Sequence, residues 1–141
     1  KNILVAYDGS ETSKRAIDTA ADLIASDARI HLDIMNVVSI PMLSDDQASS
    51  FAAILDLMKS DAEEVLADAL NQFEGRHQQN GVDTLLVLGT DVASEIAKLI
   101  EKNGYDMVVI GSRGLSGMKQ YLGSVSHKLL GATKVPVLVV K

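Results

Sequence analysis

Cysteine is absent from the 141-residue chain, which excludes disulfides and metal sites held by thiolates and suits a reducing compartment. Basic residues are in the minority: 13 Lys and Arg stand against 19 Asp and Glu, for a formal net charge of −6. No basic stripe of the kind a nucleic-acid binder carries is visible, and the same sign disfavours an anionic membrane surface. No apolar run approaches the roughly 20 residues of a membrane-spanning helix. The chain opens directly on Lys1-Asn2-Ile3-Leu4-Val5. No charged-then-apolar signal segment precedes that run, and the lack of a starting methionine is compatible with a trimmed end. The expectation is a cytoplasmic protein with no nucleic-acid and no membrane partner. Internal repeats, linkers and low-complexity segments are also missing.

A hydrophobic fraction of 47% supports a packed core and argues against disorder as the overall state. Strand and helix patterns alternate from end to end. Residues 3–7 are continuously apolar, as in a strand buried on both faces. Asp8-Gly9-Ser10 breaks the run, and Ser10 is a fair N-cap. Ala16, Ile17, Ala20, Ala21 and Ile24 then recur at helical spacing. His31 to Val38 reads as a second strand, and residues 39–47, with Pro41, read as a loop. Phe51, Ile54, Leu55, Met58, Ala62, Val65, Leu66, Ala69, Leu70 and Phe73 mark the stripe of a long helix. Val82 to Leu88 is a third strand. Thr90 or Asp91 can cap a helix carrying Val92, Ile96, Leu99 and Ile100, which Asn103-Gly104 stops. Met107 to Ile110 is a fourth strand, a short helix starts at Ser124, and Val135 to Val140 is a fifth strand. Such alternation implies α/β architecture, with a parallel sheet and helices on both faces. Ligands of such sheets bind beyond the carboxyl ends of the strands, where the strand order reverses. Asp8, Val37 to Ser39, Gly89 and Gly111 fall at such ends.

The segment after the fourth strand carries the functional signal. Gly111-Ser112-Arg113-Gly114 leaves a buried strand abruptly, and Gly123-Ser124-Val125-Ser126 opens a helix. Glycines let a phosphate approach backbone N–H groups, and a helix N-terminus adds free donors and partial positive charge. Ser112, Ser124 and Ser126 offer hydroxyls, and Arg113 a cation. The bare pattern leaves a second reading open, in which the glycines only make a tight turn and start a helix. Other nucleotide folds fail on the residues. There is no G-x-x-x-x-G-K-[ST], and the first turn lacks G-x-G-x-x-G. A phosphoryl-accepting receiver would need an acceptor aspartate where this chain has Leu88-Gly89. His31, His77 and His127 show no pair with metal-ligand spacing, so water or packing is their expected role. The methionines, Met118 in the glycine loop included, are expected to pack.

Gly111 and Gly114, then Gly123-Ser124, a short helix and the strand Val135-Pro136-Val137-Leu138-Val139-Val140 together resemble the universal stress protein family. The opening Ile3-Leu4-Val5-Ala6-Tyr7-Asp8-Gly9-Ser10 is similar to that family's first strand and turn. The resemblance covers residues 1–141 as a single nucleotide-binding domain. It implies a Rossmann-like, open five-stranded parallel sheet of order 3-2-1-4-5. Many members bind ATP or AMP through G-x2-G-x9-G-[S/T]. By position, Gly111, Gly114, Gly123, Ser124 and Val125 would hold the phosphates. Asp8 would hydrogen-bond the ribose or help place a divalent ion such as Mg2+. Ala6 and Val37 would meet the adenine at backbone level, and Ile110 the ribose–phosphate side. Here eight residues, Leu115 to Leu122, separate Gly114 from Gly123, one fewer than in the family pattern.

No base or nucleophile is set up by spacing, so any ATP hydrolysis is expected to be slow and incidental. The expectation is a nucleotide-binding regulatory protein whose occupied site orders the 113–122 loop. The alternative is a dimeric interaction module of the same fold that binds no nucleotide. Pro136 lacks an N–H and suggests that Val135 to Val140 is an edge strand, which two copies would cover by pairing across a two-fold axis. Dimerisation through the last strand is also what the resemblance implies.

Overall fold

The structure is a computed structural model and describes residues 1–73, 81–113 and 123–141. Among the described residues the strands β1 (Asn2–Ala6), β2 (His31–Ser39), β3 (Val82–Gly89), β4 (Met107–Gly111) and β5 (Val137–Val140) alternate with the helices α1 (Glu11–Ala25), α2 (Asp45–Phe73), α3 (Val92–Asn103) and α4 (Ser124–Ala132). The strands form one parallel sheet in the order β3-β2-β1-β4-β5. This is the order and fold class expected. The order reverses between β1 and β4, which places the topological switch point there.

The apolar run at the start of the chain divides between the two faces because strand side chains alternate. Ile3 and Val5 join Ala16, Ile17, Ala20 and Ile24 of α1 and Leu66, Ala69 and Phe73 of α2 in one core layer. Leu4 joins Ile96 and Ile100 of α3 and Leu129 of α4 in the other. Leu4, Val5, Val108 and Val109 are fully buried, as central parallel strands require.

Several boundaries differ from the sequence expectation. Tyr7 lies beyond β1, although its N–H still donates to the Met35 carbonyl at 2.8 Å. Only 137–140 of the last apolar run is strand, and the Pro136 carbonyl accepts from Val108 N at 2.9 Å. The 39–47 loop is shorter than expected, since Ser39 ends β2 and α2 starts at Asp45. The apolar stripe of α2 also packs over only part of its length. Its buried residues are Ala62, Leu66, Ala69 and Phe73, while Ile54 is 52% exposed. At 29 residues the helix spans about 43 Å. It outruns β2, whose nine residues span about 30 Å.

Asp91, rather than Thr90, caps α3 by accepting from Ser94 N at 3.1 Å. Gly104 ends that helix at φ 72°, in the left-handed region, with its N–H on the Ile100 carbonyl at 2.9 Å. A Cβ at Gly104 would meet nothing within 4 Å, so substitution there tests the backbone alone. Gly104→Ala is expected to lower the unfolding free energy by about 1–2 kcal/mol. Gly131 in α4 also has open space and no positive φ, and Gly131→Ala is expected to raise it by about 0.5–1 kcal/mol. Urea denaturation of the two variants beside the parent reads both signs.

Candidate functional site

A cavity of about 280 Å³ opens at the carboxyl ends of β1, β2 and β4. It lies at the switch point, where open α/β sheets take their ligands, and is near the lower end of small-molecule pocket sizes. Ala6, Tyr7 and Asp8 enter it from the end of β1, and Met35, Asn36 and Val37 from β2. Ile110, Gly111 and Arg113 enter from β4, Val92 and Ile96 from α3, Ser13 from α1, and Gly123 to Ser126 from the start of α4.

The residues singled out in the sequence therefore converge. Ala6, Asp8, Val37, Ile110, Gly111, Arg113, Gly123, Ser124, Val125 and Ser126 all line the cavity. Ser112 is buried behind it. Its N–H donates to the Val140 carbonyl at 2.7 Å and its carbonyl accepts from Gly123 N at 2.5 Å. Gly114, Met118 and His77 lie outside the described residues. His127 is exposed in α4. Tyr7, Ser13, Met35, Asn36, Val92 and Ile96 were not singled out, although their places beside strand ends and at the first turns of helices were the available signal.

Hydrogen bonds within the protein separate free donors from engaged ones. Ser10 caps α1 by accepting from Ser13 N at 3.3 Å, and Asp91 caps α3. The first residue before α4 is Gly123, which makes no side-chain cap. The first bond of that helix runs from His127 N to the Gly123 carbonyl at 3.0 Å. Helix geometry leaves the preceding N–H groups, those of Ser124, Val125 and Ser126, without intrahelical acceptors. They form an electropositive rim suited to an anion. The Gly123 N–H is held by Ser112, and the Ser126 hydroxyl donates to the Gly111 carbonyl at 2.7 Å. Among the described residues, the amides and the Ser124 hydroxyl are the donors that α4 offers.

Gly111 has a packing role beside its place on the cavity wall. A Cβ there would lie 2.8 Å from Ser13 N and collide with the Thr12 hydroxyl. Close packing of α1 on β4 therefore requires a residue without a side chain at this point. The Thr12 hydroxyl donates to the Arg113 carbonyl at 2.6 Å and accepts from Arg113 N at 3.3 Å, while the Ser10 hydroxyl donates to the same carbonyl at 3.3 Å. These bonds fix where the chain leaves β4.

On the opposite wall, Asn36 Nδ2 donates to the Tyr7 carbonyl at 2.7 Å, and Ser10 N donates to Asp8 Oδ1 at 2.9 Å. Tyr7 is held above its ordinary pKa, first by burial and then by the carboxylates of Asp68, Asp8 and Glu11. It is a neutral phenol at neutral pH.

These features define a doubly wound parallel α/β protein with a ligand cavity and an uncapped helix N-terminus at its switch point. The chain belongs to the universal stress protein family, whose family model matches residues 1–141. Universal stress protein YxiE of Bacillus subtilis is 30% identical over 146 aligned residues, covering 99% of this chain and 97% of that protein. Universal stress protein UspA from Lactobacillus plantarum has the same fold, with a TM-score of 0.88 at 17% identity over 100% of this chain and 97% of that one. A family member from Arabidopsis thaliana, solved with AMP bound, superposes with a TM-score of 0.71 at 20% identity over 100% of this chain and 91% of its own.

Gly111→Ala is expected to push α1 off β4 and to cost about 1–3 kcal/mol, as other overpacked sites do. Urea denaturation measures the loss, and an unchanged midpoint would contradict the close contact.

Proposed function

We propose that this protein binds an adenine nucleotide, ATP or AMP, with or without Mg2+, as a regulatory ligand, and acts as a homodimer in a stress response. The observation that carries the reading is the uncapped N-terminus of α4 on the cavity wall, where Ser124, Val125 and Ser126 present amides to an anion. Gly111, Arg113, Gly114 and Gly123 complete the phosphate side in this reading. Ala6 and Val37 meet the base at backbone level, and Ile110 flanks the ribose. Asp8 keeps one carboxylate oxygen beyond the bond to Ser10 for the ribose or a divalent ion. The AMP complex of the Arabidopsis relative supports the choice of nucleotide. The reading assigns no catalytic residue and treats residues 1–141 as one nucleotide-binding domain.

The homodimer rests on the sheet edge. Among the described residues β5 pairs with β4 alone, so its outer backbone groups are unpaired within the described sheet. Leu138 on it is 37% exposed. An apolar edge of this kind is covered when a second copy pairs with it. The dimer is expected in sedimentation velocity at micromolar concentration, and a purely monomeric boundary would defeat it.

Nucleotide binding is checked by denaturing the purified protein and identifying the small molecules released, then titrating ATP and AMP with and without Mg2+. Gly123 has φ −63°, a conformation open to any residue, so Gly123→Val is expected to fold. It is expected to abolish binding by filling the cavity wall. No carried-over nucleotide and no binding at millimolar ATP would overturn the reading. Binding that survives Gly123→Val would overturn the assignment of the loop.

A further inference from the structure

At the amino ends of the strands, across the sheet from the nucleotide cavity, lies a second cluster of polar side chains. His31 and Asp33 are two residues apart on β2, and so project from the same face. Asp83 is the register partner of Asp33 on β3, which brings it to that face as well. His31 Nε2 lies 2.8 Å from Asp33 Oδ1 and 3.2 Å from Asp83 Oδ2. One donor atom from each of the three side chains lies within 4.8 Å of the other two.

We propose that His31, Asp33 and Asp83 form a binding site for a divalent transition-metal ion of the zinc type. A four-coordinate zinc ion holds neighbouring ligand atoms roughly 3.3 Å apart, given metal–ligand distances of about 2.0–2.1 Å. The imidazole-to-carboxylate spacings are already close to that value. A single N–H on Nε2 can align well with only one of the two carboxylates, which leaves the other with a weak share. A dication in place of that proton answers both negative charges and the ring nitrogen together.

The surroundings hold the donors in place. The Tyr105 hydroxyl donates to Asp33 Oδ2, the oxygen turned away from His31. Tyr105 has its pKa pushed up to about 12, first by burial and then by the bond to Asp33, so it remains a donor throughout the neutral range. Asn103 Nδ2 donates to the same hydroxyl at 3.3 Å. Hydrogen bonds of this sort orient metal-binding carboxylates. The imidazole ring lies against Gly81, where a Cβ would sit 2.6 Å from Nδ1. The Asp83 side chain is 71% exposed, which supplies a path of entry and room for a water as a further ligand.

The donor set favours a transition-metal dication over magnesium or calcium. One imidazole and two carboxylates without sulfur suit zinc, whereas magnesium and calcium prefer oxygen alone.

The test is equilibrium dialysis of the full chain against Zn2+ alone, without nucleotide or chelator. One ion per chain is expected. Asp83→Asn, at an exposed position, and His31→Gln are each expected to weaken binding at least about tenfold, and Tyr105→Phe about tenfold through the loosened Asp33. His127→Gln, at the opposite end of the sheet, is expected to leave it unchanged. Thermal melts with and without Zn2+ should show stabilisation of the parent that Asp83→Asn loses. Less than stoichiometric zinc on the parent, or undiminished binding by Asp83→Asn, would overturn the site. Nucleotide titrations do not enter these measurements, so the outcome is independent of the nucleotide reading.

Discussion

The close approach of α1 to the end of β4 governs the geometry of the candidate site. It depends on the missing side chain of Gly111, because any Cβ would meet the backbone of Thr12 and Ser13. Once α1 is seated, the hydroxyls of Thr12 and Ser10 hold the Arg113 carbonyl. The Gly111 carbonyl takes the Ser126 hydroxyl, and the Ser112 carbonyl takes the Gly123 amide. The Arg113 end of the glycine loop is thus tied to the start of α1 and the Gly123 end to the end of β4, which fixes the start of α4 against the cavity. The peptide donors of Ser124 to Ser126 are preorganised there before any ligand arrives.

The parallel sheet separates two kinds of chemistry by strand direction. Carboxyl ends collect the starts of the following helices, so donors and partial positive charge gather there. At the amino ends of β2 and β3, His31, Asp33 and Asp83 gather carboxylate and imidazole groups instead. The core between them is fully apolar in its central strands, with Leu4, Val5, Val108 and Val109 buried. An apolar layer therefore separates the two ends.

Much of this was legible along the chain. Continuous apolar runs marked the central strands, Ser10 and Gly104 marked helix ends, and the glycines with the serines of 123–126 marked the cavity wall. Those signals are local, since they depend on side-chain period and on backbone conformations that few residues adopt. The length of α2 that packs was not legible, because an apolar stripe records what a helix can bury and not how far the sheet beneath it extends. Ile54 matches the stripe yet stands exposed. The packing role of Gly111 was not legible either, because its neighbour in space, α1, lies about a hundred residues away in the chain, as the Thr12–Arg113 bond shows.

The histidines show the same division. Among His31, His77 and His127 no spacing suggests a metal, and none would, because the partners of His31 are an aspartate two residues on and another on β3. The sequence by itself determined the alternating α/β architecture, the class of the protein and the residues that stand at the strand ends, since these follow from local pattern. Only the tertiary structure decided which donors are free, what the glycine at 111 accommodates and which charged groups meet across strands. Those outcomes depend on register and on the approach of segments distant in the chain, and no local period encodes either.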